Sequence, residues 1–284
     1  MRRLIVNADD FGLHRSVNAA VAEGHARGCI TSASLMPTGA AFEEAAEAAR
    51  KTPSLGVGVH LTLVAETPLS SASAVRTLVG ADGRFAADHT VFVRRYLAGE
   101  LDLGEVYREI AAQVERVVQA GVRLTHIDSH QHLHVLPKLM DMCVSLAKAH
   151  GIRAVRIPAE PYFFTGGYEA DLKRTVGKWG LTFLANRARV KAKRAGLLCP
   201  AHFRGMLAGG HMRAAYLEGI VRALPEGVTE IMLHPGADGA ALAARYGWGY
   251  EWEAELAAAI SPNVLSALQA GQVELISFGE LADA

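Results

Sequence analysis

Only three cysteines occur in this 284-residue chain, scattered at Cys29, Cys143 and Cys199. None belongs to a CxxC pair and their number is odd, which argues against a disulfide framework or a Cys-based zinc site. An excess of charge of either sign is also lacking, since 29 Lys and Arg stand against 29 Asp and Glu. A chain without a net basic field has little to draw it to phosphate backbones, so no nucleic-acid partner is expected. No apolar run approaches the roughly 20 residues of a spanning helix. No leader pattern opens the chain; a strand begins almost at once, and the expectation is a cytoplasmic protein. Internal repeats and disordered linkers are absent too.

What is present is a large apolar fraction, 50% of residues, enough for one barrel-sized core. Strand-like segments fall near 3–9, 32–37, 55–63, 124–130, 153–158, 229–234 and 273–278, with a further short one at 203–207. Helix-like segments fall near 15–28, 40–51, 104–120, 137–150, 170–195, 212–224 and 252–270. Strands alternating with helices indicate parallel β/α units. The prediction is an α/β fold: one domain over 1–284, a distorted TIM-like (β/α) barrel of seven or eight parallel strands. Residues 65–103 carry few regular signals and read as an insertion over the site.

Polar residues gather where strands end. Leu4-Ile5-Val6 runs into Asn7-Ala8-Asp9-Asp10-Phe11-Gly12. His60 lies near the end of the apolar run 54–64, and His234 ends the run before Pro235-Gly236. The densest stretch, 125–137, holds His126, Asp128, His130, His132 and His134. In a straight strand, Asp128, His130, His132 and His134 would share one face. Burying that many polar groups is costly unless they serve a site, and neutral imidazole is a common metal ligand. Each segment alone also reads as a turn, a helix cap or a hydrogen-bonded core histidine. In a barrel their ends meet on one face, which favours a site.

Residues 173–194 stand apart: eight Lys or Arg interleave with Val176, Trp179, Phe183 and other apolar residues. Such a segment suits an anionic membrane surface or an acidic partner, and equally an outer barrel helix with a solvated basic face.

Asn7-Ala8-Asp9-Asp10-Phe11-Gly12, Gly58-Val59-His60, Asp128-Ser129-His130-Gln131-His132-Leu133-His134, Val155-Arg156-Ile157-Pro158 and His234-Pro235 together resemble the YdjC-like carbohydrate deacetylases. The resemblance runs from residue 3 to Leu281 and implies a distorted barrel related to polysaccharide deacetylases. It also implies hydrolysis of the N-acetyl group of an amino sugar with one divalent cation. Asp10, His60 and His130 match the metal ligands, Asp9 the general base and His234 a histidine acid. Asp128, His132, His134 and Arg156 are then candidates for orienting ligands or substrate. The usual ion of the family is magnesium. Two imidazoles fit zinc better, with manganese, cobalt and nickel also compatible. Phe203-Arg204-Gly205, Arg156-Ile157-Pro158-Ala159-Glu160-Pro161 and Ile276-Ser277-Phe278-Gly279 are similar to a hopanoid-biosynthesis branch, whereas Asp128–His134 is closer to chitooligosaccharide-type members. The expected partner is therefore a soluble or lipid-linked amino sugar, with peripheral contact at the inner membrane face and a homodimer both open. Another metal-dependent amidohydrolase or phosphohydrolase, or a sugar- or lipid-binding protein without turnover, are the competing readings.

Overall fold

The structure, a computed structural model, describes residues 1–283. In chain order it runs β1 (Arg2–Phe11), α1 (Arg15–Arg27), β2 (Ser32–Leu35), α2 (Phe42–Lys51) and β3 (Gly56–Leu61). After the insertion, which contains α3 (His89–Leu97), come α4 (Leu103–Gln119), β4 (Leu124–Ser129), α5 (Pro137–Ala149) and β5 (Ala154–Val155). The last third holds α6 (Leu172–Arg194), β6 (His202–Arg204), α7 (Ala214–Arg222), β7 (Gly227–Leu233), α8 (Gly239–Arg245), α9 (Trp252–Ala259), α10 (Pro262–Ala270) and β8 (Glu274–Leu275).

Every strand pairing is parallel, in the order β5-β4-β3-β2-β1-β7-β6, with β8 beside the start of β1. The two edges approach each other: Val155 N donates to the Leu198 carbonyl at 2.9 Å, just ahead of β6. The sheet is thus curled into the distorted barrel expected. Parallel strands sheltered on both faces read as apolar runs, and β1 from Leu4 to Phe11 and all of β3 are buried. Gly58 makes room in that interior, because a Cβ there would lie 2.4 Å from the His126 ring.

Several boundaries differ from the sequence reading. The expected helix 252–270 is two, because Pro262 has no N–H to continue α9 and starts α10 at its first turn instead. The expected strands 153–158 and 273–278 shrink to two residues each. The insertion is not free of structure. Its first residues are pinned by buried Glu109 of α4, which accepts from Leu69 N and Ser70 N at 2.9 Å each. Among the described residues, no helix is long and apolar enough to cross a membrane.

Candidate active site

The C-terminal ends of β1, β3, β4, β5 and β7 meet on one side of the barrel. Adjacent residues of a regular strand point to opposite faces, so Asp9 and Asp10 could not both serve one site from a straight β1. They do so here because the register between β1 and β2 slips between Ala8 and Phe11, and Asp10 takes a left-handed φ of 61°. Asp is among the few non-glycine residues that tolerate that conformation, and such departures concentrate at functional sites. The result is that Asp10 Oδ1 lies 3.4 Å and Asp9 Oδ2 4.0 Å from the same atom, His60 Nε2.

A second departure from regularity shapes the histidine segment. β4 stops at Ser129, and Gln131 and His132 adopt φ of 53° and 59°. The straight strand that would align Asp128 with His130, His132 and His134 is therefore not formed. The turn instead sends the four side chains to different tasks. His130 Nδ1 donates to Asp10 Oδ1 at 2.9 Å. His132 lines the cleft, with its ring edge-on to Phe203 at 5.9 Å. His134 turns away: Nε2 donates to the Arg156 carbonyl at 3.0 Å and Nδ1 meets Ser129 Oγ at 2.8 Å. Burial lowers the His134 pKa to about 4, so it stays neutral in that bracket.

Asp128 acts on His60 from behind. Its Oδ1 accepts from His60 Nδ1 at 2.8 Å, which leaves Nε2 aimed at the two carboxylates of β1. Carboxylate–imidazole pairs of this kind fix ring orientation in metal sites. Burial works against charge on His60, yet Asp128, with Asp10 and Asp9, overrides it and raises the pKa to about 10. Burial likewise opposes ionisation of Asp10, but the charges and hydrogen bonds of His130 and His60 hold it well below the usual carboxylate range.

Under this layer sits Arg156, fully buried just beyond β5. Its Nη1 and Nη2 donate to Asp9 Oδ2 and Oδ1 at 2.6 Å each, and Nε donates to Glu230 Oε1 at 2.7 Å. Nη1 also lies 2.8 Å from Asp128 Oδ2. One guanidinium thus serves three carboxyl groups, in the fork geometry that only Arg provides. Burial raises the Glu230 pKa to about 7 against the pull of Arg156.

His234 follows β7, whose last paired residue, Leu233, lies beside Ala8 of β1. Its backbone N–H is held by buried Glu255 and its ring packs 4.9 Å from Tyr250. Asp9, His130, His132, His234, Met206 and Tyr250 all line a cleft of about 740 Å³. α3 and α6 form its outer walls through His89, Val93, Lys178 and Leu181.

Asp10, His60 and His130 each offer a ligand atom, all within 4.8 Å of one another. Asp10 Oδ2 and His130 Nε2 are buried without a hydrogen-bond partner. Buried polar atoms are rarely left so, and a cation is a fitting partner for both. Asp9, His60 and Asp128 form a second such group, but Arg156 already occupies its carboxylates. A family profile described as YdjC-like protein matches residues 3–270.

The chain belongs to the YdjC-like family. A carbohydrate deacetylase of Brevibacillus brevis is 40% identical over 158 residues, covering 55% of this chain and 59% of that protein. The chain thus spans about three fifths of that relative's length. A chitooligosaccharide deacetylase of Salmonella typhimurium is 34% identical over 181 residues, covering 62% of this chain and 67% of the relative. A structure from Enterococcus faecalis V583, named for cellobiose-phosphate cleavage, superposes with a TM-score of 0.76 at 26% identity. It covers 99% of this chain and 98% of its own.

Around the YdjC-like motifs the structure adds residues that the motif reading passes over. Glu230 and Glu255 are fully buried acids, one within a strand and one in α9, and for Glu230 a lone acid in an apolar strand run was the available signal. Tyr246, Trp248, Tyr250 and Trp252 alternate in sequence and form a ladder with ring centroids 4.8, 5.6 and 5.6 Å apart. Trp248 also packs 5.1 Å from His130.

Proposed function

We propose that the chain is a metal-dependent N-deacetylase acting on an N-acetylglucosamine-containing glycoside. The observation that carries this is the pair of consecutive carboxylates with divided surroundings. Asp10 stands among imidazoles with a free oxygen, while Asp9 is clamped by Arg156 and faces the cleft. That division supplies a ligand and a base from neighbouring positions. The names of the YdjC-like relatives, carbohydrate and chitooligosaccharide deacetylase, support the same chemistry.

Asp10, His60 and His130 would hold the ion, which supplies Lewis-acid polarisation of the acetyl oxygen and lowers the pKa of water. One carboxylate and two imidazoles favour zinc or another first-row transition ion over magnesium. Asp9, fixed by two Arg156 hydrogen bonds and one from Asn7 Nδ2 at 2.8 Å, takes the proton of the attacking water. His234, which also lines the cleft, returns a proton to the leaving amine. Its Nδ1 lies 3.9 Å from a carboxylate oxygen of Glu255.

The finer reading is a lipid-linked amino sugar such as an N-acetylglucosaminyl hopanoid, met at the inner membrane face. It is supported by α6, which walls the cleft with one side and exposes apolar residues on another. The test is acetate release from chitobiose and from an N-acetylglucosaminyl lipid, after chelation and after reconstitution with zinc, magnesium, manganese, cobalt or nickel. Metal-dependent acetate release carries the proposal; release from neither substrate with any ion overturns it.

A further inference from the structure

The 23 residues of α6 contain eight Lys or Arg and no Asp or Glu. The sides of this helix do different things. Gly177, Lys178, Leu181 and Leu184 line the cleft, and Ala185, Ala188 and Ala192 are buried. The remaining side faces solvent, yet it is not polar. Leu172, Val176, Trp179, Phe183 and Val190 follow one another at steps of four, three, four and seven, which places them on a single stripe. All are exposed, from 39% at Trp179 to 77% at Leu172.

The stripe extends onto the loop before the helix. Trp179 Nε1 donates to the Tyr162 carbonyl at 2.8 Å, and its ring stands edge-on to Phe163 at 6.3 Å. Phe163 is 91% exposed. A contiguous apolar ridge of this size on a soluble surface marks an interaction site.

We infer that this ridge is a docking face for an anionic lipid bilayer. At the α-helical angle of about 100° per residue, Arg187 and Arg194 fall within about 60° of the stripe, with Lys193 on its other flank. All three are exposed, and none takes part in an ion pair among the described residues. Lys191 is committed elsewhere, to Asp141 at 2.6 Å and the Pro137 carbonyl at 3.0 Å. Apolar and aromatic residues flanked by unpaired cations match the interfacial region of an anionic leaflet. A second copy fits poorly, because it would bring together two α6 helices that each carry eight Lys or Arg and no Asp or Glu. An acidic protein would answer the charges and leave Phe163 and Phe183 without a reason.

Docking by this face would set the bilayer against the outer side of the helix that walls the cleft. What this means for the substrate rests on the deacetylase reading; the docking does not. Flotation with vesicles of phosphatidylcholine alone and of an equal mixture with phosphatidylglycerol tests it. The chain is expected to float with the mixed vesicles at low salt, to leave them as salt rises, and to ignore the neutral ones. The triple variant Phe163→Ser, Val176→Ser, Phe183→Ser and the triple variant Arg187→Glu, Lys193→Glu, Arg194→Glu should each lower partitioning about tenfold or more. The second variant keeps the ridge intact, so its loss cannot be laid to misfolding of an apolar surface. Asp9→Asn should float as the wild type does, which separates docking from turnover. No flotation at low salt overturns the proposal. So does a wild-type dimer in light scattering that either triple variant splits, which would assign the ridge to self-association.

Discussion

Arg156 grips Asp9 with two hydrogen bonds of 2.6 Å from one buried fork. Replacing Arg156 with Met would leave Asp9, Asp128 and Glu230 buried without their counter-charge. Breaking a buried pair costs roughly 3–5 kcal/mol, so the melting temperature should fall sharply. Arg156→Lys keeps the charge and loses the fork, and should depress kcat more than KM. Unchanged kcat in the Lys variant would show that the orientation of Asp9 is irrelevant to turnover.

The two carboxylates of β1 should separate in a metal-content measurement. Asp9→Asn is expected to retain the ion and lose about 10²–10⁴-fold in rate, as removal of a general base does. Asp10→Asn is expected to lose the ion itself. The opposite pattern in plasma emission would mean that the roles are exchanged.

His60 predicts a pH dependence. Its pKa in the metal-free fold is raised from 6.5 to about 10. A raised value means that protonated His60 stabilises the fold fully below pH 6.5, and that this stabilisation is lost as pH rises toward 10. With chelator present, the melting temperature should therefore fall across that interval. Metal must displace the same proton, so zinc affinity should rise across it. A chelated protein whose melting temperature is flat over the interval would contradict the Asp128–His60 pairing.

His234→Ala should keep its metal and lose rate, because the ring lines the cleft but is not among the residues grouped to hold the ion. A wild-type rate in that variant would remove His234 from the reaction.

Gly58→Ala tests the barrel interior. The added methyl would lie 2.4 Å from the His126 ring, itself stacked on Phe278 at 3.9 Å. Overpacking of this kind costs about 1–3 kcal/mol, which a denaturant midpoint would register.

The strand ends were legible in the sequence because apolar runs that stop at Asp or His are hard to explain otherwise. That is why the strand ends at Asp9-Asp10, His60, residues 126–134 and His234 group into one site, while the choice of Asp10, His60 and His130 as ligands came from the resemblance to the YdjC-like family. The path between residues 129 and 135 was not legible. Left-handed backbone at Gln131 and His132 goes against local preference and is imposed by the surrounding fold, so alternation mispredicted which histidines face the same way. Glu230 and Glu255 escaped for a different reason. Glu230 lies alone in an apolar run and Glu255 is masked by its acidic neighbours Glu251 and Glu253, and the partner of each, Arg156 or the backbone of His234, comes from a distant element. Proline showed the division between α9 and α10, but the apolar spacing on both sides of Pro262 masked it.

The slipped register of β1 has a consequence for how this active site can vary. In the proposed reaction the base and one metal ligand are consecutive residues, joined by a single peptide unit whose Cα atoms are about 3.8 Å apart. No hinge lies between them, so any shift of β1 carries both together and leaves their separation unchanged. The chemistry behaves as one rigid cartridge, and a change of substrate must come from the walls. Those walls, α3 and α6, belong to the insertion and to the segment following β5, and can lengthen, turn or recharge without disturbing the pair.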